Sequence, residues 1–519
     1  MTEVTLSNFD DLLPEIEAAI AGAAFVAVDT EFTGLVRDPA AAPSLFDSAG
    51  ARYQKLRQTV SSYIVCQLGL CTFTSVPSEN LYKASAYTIY LCPRSFGSTD
   101  PQFSVQASSI EFLCRNGFDF NKCFYEGLPY ADRACRRAID GYVVDADLDD
   151  ADLQPLYDQV RRWSAADCKD PLKVEPPAGL SPHLVALDLK TRFPNVACTL
   201  SREGLVLTPV SAKPQRPSAS RDDVIRDSLL GFSRCFETLV TSGKPLVGHN
   251  MLLDLLLLLH QFREPLPRSY GRFKTVLGSL FPVVYDTKHI SLSVRQQASP
   301  WLRELLTGAD LFALHSALAN VPVPFAPKIQ GAPAVLRAHD AGSDAYVAGA
   351  VFIKLAHVLA QQAASALPAP QRALAWPQHR AAVKAFANRI NLIRAQCHHV
   401  SLEGPDPPAE ERPPWLCVRS SRSQAEITAV LARCGIVDVR ALSPTRLLVA
   451  VGNFSCARDI VAAFQDDPLV SLVRYRRATH DAGLRAFLWA ATLLSLTLSA
   501  GCAATLGSSL LKTCGTNTT

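Results

Sequence analysis

No CxxC pair occurs in this chain, and none of its 15 cysteines stands with histidine at zinc-ligand spacing. That excludes the common structural zinc folds. An odd, unpatterned set also argues against a disulfide framework, so the cysteines read as reduced thiols of a cytosolic protein. Strong charge is missing too. Lysine plus arginine number 51 against 48 aspartate plus glutamate, and a net +3 permits an anionic partner without demanding one. The opening stretch MTEVTLSNFDDLLPEIEAAI carries acids and no basic segment. It is therefore not a secretory leader, and it reads as an amphipathic helix with Ser7 or Asn8 at its start.

What is present fits a globular protein of two to four domains: 519 residues, 48% hydrophobic and 19% charged, with 35 prolines to interrupt it. AAFVAVDTEF reads as a buried strand, SSYIVCQLGLCTF and SAYTIYLCP as a following meander, and ASSIEFLCRNGFDFNKCF as helical. Residues 151–225 are less regular and end in the linker SAKPQRPSASRDD. PLVGHN reads as a short strand turning into the helix MLLDLLLLLHQF, whose apolar run is too short for a bilayer. Strand, helices and sheet again describe an α/β layered domain with an insertion, over 1–150 and 226–402.

Beyond the linker EGPDPPAEERPP, residues 413–480 follow the order βαββαβ, the ferredoxin-like arrangement of RNA-recognition modules. The strand RLLVAVG, where stacking rings are expected, has no aromatic residue, so the unit is a degenerate one. Ala486–Leu511 then runs 26 residues without a charge, with Trp489 near one edge and Arg474, Arg476, Arg477 and Arg485 before it. That pattern predicts a C-terminal transmembrane tail anchor with the bulk of the chain in the cytosol. A buried C-terminal helix is the alternative.

Three weak motifs carry the chemistry. Asp29 and Glu31 lie two apart on a strand and so share a face, where two carboxylates call for a divalent cation. Asp254 lies inside the leucine helix, costly to bury unless paired. In HDAGSDAY, His339 precedes Asp344 by five positions, a histidine beside a carboxylate suited to general-base work on water. Asp340 is a neighbouring decoy. In this order the five residues make the DEDDh set of 3′-to-5′ exonucleases, a ribonuclease H-like arrangement.

AVDTEFTGL, YQKLR, CQLGLCTF, SSIEFLCRNGFDFNKCF with GLPY, KPLVGHNMLLD, YDTK and HDAGSDAY resemble the poly(A)-specific ribonuclease branch of the DEDD nucleases, across roughly 1–150 and 225–360. The resemblance implies hydrolysis with two Mg²⁺ ions, Mn²⁺ being an alternative. One ion would be held by Asp29, Glu31 and Asp344; the other would be bridged by Asp29 and supported by Asp254. His339 would take the proton of the attacking water, and the product would be a 5′-nucleotide. Phe32 and Leu35 would pack on the terminal bases, or else belong to the core. His249 and Asn250 would contact substrate, with helix capping as Asn250's alternative.

Within the branch, the apolar tail is similar to that of membrane-anchored members that trim PIWI-interacting RNA precursors. This implies single-stranded RNA 3′ ends as substrate, and a PIWI protein and a membrane-bound Tudor and KH-domain protein as partners. The membrane would be the mitochondrial outer membrane or the endoplasmic reticulum, and a homodimer is left open. An Arg-x-x-x-His pair, which marks the nucleic-acid-binding insertion of the deadenylase, is absent from 150–225. A membrane-anchored deadenylase and a catalytically inactive RNA-binding adaptor are the competing readings.

Overall fold

The computed structural model describes residues 1–476 except 36–40, 97–98, 146–149, 167–169, 178–181, 194, 202–203, 211–220, 298–302, 305, 307, 309, 320–324, 366–372 and 409–411, together with 487, 489–492 and 495. The expected tail at 486–511 therefore lies almost wholly outside the described residues. The chain divides into two compact units. One comprises Met1–Pro43, Ser48–Ile393 and Cys397–Pro407; the other comprises Ser44–Asp47, Arg394–Gln396 and Pro408–Thr519.

The first unit is built on a nine-stranded mixed sheet. Phe25–Phe32 pairs antiparallel with Val65–Val76, which pairs antiparallel with Leu81–Tyr90. On its other edge Phe25–Phe32 runs parallel to Leu246–Gly248, followed by the parallel Val284–Asp286. Arg389–Asn391 and His399–Ser401 complete that side, and Thr2–Val4 and Lys328–Gln330, which sequence periodicity does not announce, both flank Leu81–Tyr90. Phe25, Val26, Ala27 and Val28 are buried as a continuous run, as a strand covered on both faces must be.

The helix Ala341–Ser365 lies across this sheet and supplies much of the core, with Val347, Val351, Phe352 and Leu355 buried against Phe25, Phe73 and Tyr285. It can lie close because the contact points lack side chains. A Cβ on Gly69 would stand 1.8 Å from the Ala341 carbonyl oxygen, and one on Gly349 would stand 2.1 Å from the Phe73 ring. Its Ala341–Gln362 portion is long and apolar enough to cross a membrane, but 83% of its most apolar window is buried inside the protein. It is a core helix by packing.

The insertion is more regular than its sequence suggests. Helices Asp150–Ala165 and Pro182–Arg192 flank a three-stranded antiparallel sheet of Leu172–Val174, Gly204–Pro209 and Val196–Ser201. They share a core around Tyr157, Leu189, Leu205 and Leu207. All twelve described cysteines are free.

The second unit has strands Leu416–Ser420, Val437–Ser443, Arg446–Val451 and Val470–Arg474, with helices Gln424–Arg433 and Phe454–Phe464 between them in βαββαβ order. Its antiparallel sheet runs 437–443, 446–451, 416–420, 470–474. Alternation along Arg446–Val451 sends Leu447, Val449 and Val451 under the helices, against Ile427, Leu431 and Ile460. Leu448 and Ala450 face the other way, where Leu45 and Phe46 cover them.

Candidate active site

Asp29 and Glu31 come from the end of the buried strand. Asp29 stands opposite Gly69 and Glu31 opposite Gln67, and the register shifts just after Glu31. Gly69 and Gln67 also receive the third motif. The missing Cβ of Gly69 admits the start of the 341–365 helix, and the Gln67 Oε1 accepts the Ala341 amide at 3.0 Å. Four residues into that helix is Asp344. Ligand atoms of Glu31, His339 and Asp344 all lie within 4.8 Å of one another.

His339 is exposed and has φ +64°, a left-handed conformation that non-glycine residues seldom adopt and that clusters at functional sites. Two contacts hold it there. Its backbone amide donates to Asp344 Oδ2 at 2.8 Å, and the Phe112 ring meets its imidazole edge-on at 4.5 Å between centroids. Asp340 has a different task. Its Oδ1 accepts the Ser343 amide at 2.9 Å, an N-cap for the long helix.

Asp254 is 8% exposed in the helix Leu252–Phe262, among leucines that are buried on nearly every side. Its direct partner is Thr30, the residue between the two strand carboxylates, whose hydroxyl donates to Asp254 Oδ1 at 2.5 Å. The turn that launches this helix is fixed by a residue the sequence reading passed over. Asp286 is fully buried, and its carboxylate accepts the backbone amides of Asn250 (2.9 Å), Met251 (3.2 Å), Lys288 (3.0 Å), His289 (3.3 Å) and Asn391 (2.9 Å).

All four acids are raised, by burial before anything else. Burial first, then Asp254, Asp344 and Glu31, push Asp29 well above the ordinary carboxylate range. Burial and then Asp344 and Asp254 do the same to Glu31. Burial takes Asp254 to about 6 despite the Thr30 hydroxyl, and Asp344 to about 7 despite the His339 amide. Four clustered carboxylates that resist ionising together are a donor set for hard divalent cations, which relieve that repulsion. The residues fit such ions.

The structure thus brings together all five expected catalytic residues. Of the expected substrate contacts, Leu35 is 49% exposed just past the strand and Phe32 is half-buried. His249 Nδ1 lies 2.9 Å from the Thr287 hydroxyl. Asn250, at φ +60°, does not cap its helix with its side chain; its Oδ1 accepts from Asn391 Nδ2 at 2.8 Å. Thr30, Gln67, Gly69, Phe112 and Asp286 were missed. All five lay within motifs already singled out, AVDTEFTGL, CQLGLCTF, SSIEFLCRNGFDFNKCF and YDTK, without a chemical role to mark them.

The model of the CAF1 family ribonucleases matches residues 4–352. The chain belongs to that family. Its relatives include the poly(A)-specific ribonuclease PNLDC1 of Mus musculus, 32% identical over 95% of this chain and 97% of that protein. The pre-piRNA 3′-exonuclease trimmer of Bombyx mori is 28% identical over the same shares, 95% and 97%. The poly(A)-specific ribonuclease PARN of Xenopus laevis is 30% identical over 78% of this chain and 69% of that one. The expected family and the expected enzyme class, a ribonuclease, both stand.

Proposed function

We propose that this CAF1-family ribonuclease is a 3′-to-5′ exoribonuclease that trims the 3′ ends of small-RNA precursors while tethered to a membrane by residues 486–511. The observation that carries the hydrolytic reading is the convergence of Asp29, Glu31, Asp254 and Asp344 beside His339. The trimming reading rests on the silkworm trimmer, matched across nearly the whole of both chains.

Asp29, Glu31 and Asp344 would hold one divalent cation, and Asp29 with Asp254 a second, Mg²⁺ being the fitting hard ion. Bound there, such ions supply Lewis acidity and offset the charge on the phosphoryl and leaving oxygens. The protein's own groups do the rest. Thr30 fixes the Asp254 carboxylate, and the Asp344 carboxylate fixes the backbone of His339. The His339 ring accepts the proton of the attacking water, and Phe112 limits the ring's swing. Phe32 and Leu35 offer apolar surface to the terminal bases. Water adds to the phosphorus and the P–O3′ bond breaks, which frees a 5′-nucleotide and a new 3′-hydroxyl. A PIWI protein and a membrane-bound Tudor and KH-domain protein would present the precursor.

The names of the mouse and frog relatives favour a second reading, a membrane-anchored poly(A) deadenylase. Sequencing RNA 3′ ends in cells that carry only the Glu31→Ala protein separates the two. Extended small-RNA precursors with unchanged messenger poly(A) tails support the trimmer. Lengthened poly(A) tails with normal small RNAs support the deadenylase. A purified Glu31→Ala protein that shortens RNA at the wild-type rate would falsify the hydrolytic assignment itself.

A further inference from the structure

The second unit lacks aromatic residues on its central strands, and Leu45 and Phe46 cover the sheet face where such rings would stack bases. Trp415 and Tyr475 pack against that cover, and the Phe46 ring meets the Trp415 ring edge-on at 5.2 Å. At the end of the sheet where Leu416–Ser420 begins and Val470–Arg474 ends, a groove of about 770 Å³ is lined by Trp415, Phe454 and Tyr475 with Arg412 and Arg474. Sheet pairing puts the first two partners side by side. Leu416 is in register with Arg474, so Trp415 and Tyr475 continue the pair, and the Tyr475 amide donates to the Trp415 carbonyl at 2.7 Å. Their ring centroids are 6.0 Å apart and tilted by 41°. Phe454 opens the helix Phe454–Phe464, where Asn453 caps the first turn, and the residue is 55% exposed.

We infer that this groove is a binding site for single-stranded RNA, separate from the catalytic centre. Flat apolar rings accept bases of any identity, and guanidinium groups pair with phosphates. Among the described residues, no carboxylate lines the groove to repel a phosphate backbone. A buried core position would not leave Phe454 half in water, and an acidic or neutral peptide site would not need two arginines without an opposing acid. The site goes beyond the proposed trimming activity and does not rest on it, since gripping RNA requires no hydrolysis.

The test uses the full chain, a fluorescent single-stranded RNA and EDTA, so that binding is read without cleavage. Trp415→Ala and Phe454→Ala should each weaken binding roughly ten-fold, the scale of one lost stacked base. Arg474→Glu should weaken it and make the salt dependence shallower. Leu469→Ala, which removes an exposed apolar residue outside the groove, should change nothing. Hydrolysis of a trinucleotide in Mg²⁺ should be unaltered in all of them, because no groove residue belongs to the catalytic set. Photocrosslinks from thiouridine-bearing RNA should map to peptides holding Trp415, Phe454 or Tyr475. Unchanged RNA affinity in the three groove variants overturns the proposal. Loss of acidic-peptide binding with RNA binding intact also overturns it, and would reassign the groove to protein.

Discussion

The Asp286 carboxylate accepts the backbone amide of Asn250 at 2.9 Å and so governs a turn four residues ahead of Asp254. Asn250 is held at φ +60° there, while the same carboxylate also gathers Met251, Lys288, His289 and Asn391. Burial raises the Asp286 pKa, and the amides donated by Asn250, Asn391, His289 and Met251 oppose that rise.

Replacing Asp286 by Ala strands several buried amide donors at about 1–3 kcal/mol each. The Asp286→Ala protein should lose at least about 3 kcal/mol of unfolding free energy in urea, with activity falling alongside. Asp286→Asn, which keeps one acceptor oxygen, should lie between it and the wild type. Equal urea midpoints for all three proteins would mean that the turn does not depend on this carboxylate.

His339 and Asp340 should part company on substitution. Without its proton acceptor, His339→Ala should slow the chemical step by roughly 10²–10⁴-fold and leave the melting temperature near that of the wild type. Asp340→Ala removes a helix cap, worth about 1 kcal/mol of stability, and should keep most of the activity. Single-turnover rates and thermal melts of the two variants settle the assignment; the reverse pattern would make Asp340 the working residue.

Asp344 at about 7 and Asp254 at about 6 stand above their ordinary value, so the folded, metal-free protein binds protons that the unfolded chain releases. Stability contributed by these groups is full below about pH 4 and is lost as pH rises through their folded values. In EDTA, Asp344→Asn should therefore melt higher than the wild type, by a margin that widens from pH 5 to pH 8. Adding Mg²⁺ should raise the wild type and narrow the gap. A gap that stays constant with pH would contradict a raised Asp344 carboxyl.

Gly69→Ala should be among the most damaging single changes in the core. A methyl group 1.8 Å from the Ala341 carbonyl forces the long helix off the strand and takes Asp344 with it. Overpacking of this kind costs typically 1–3 kcal/mol or more, and activity should be lost even where folding survives. Gly278→Ala is the control. It lies inside a helix with nothing within 4 Å of the new methyl, and should gain about 0.5–1 kcal/mol. Similar melting temperatures for the two would show that the glycine contact bears no load.

The sequence by itself determined which residues are the candidates for the chemistry and which strand and helix present them. Carboxylates two apart on an apolar strand, one inside a leucine run and one after a histidine are local patterns, and each survived folding unchanged. Periodicity likewise located the helix Leu252–Phe262 and the strand order of the second unit. Tertiary structure alone decided how the motifs meet. Gly69 matters because the carbonyl it admits belongs to residue 341, and Thr30 because the carboxylate it holds belongs to residue 254. Asp286 collects amides from three separate segments, and Trp415 and Tyr475 become neighbours only when their strands pair. The insertion was hidden for a related reason: its strand Leu172–Val174 is too short to show a period, and becomes a strand only against Gly204–Pro209. A hydrophobic period is written along the chain, but a close approach or a hydrogen bond between distant residues exists only once the chain has packed.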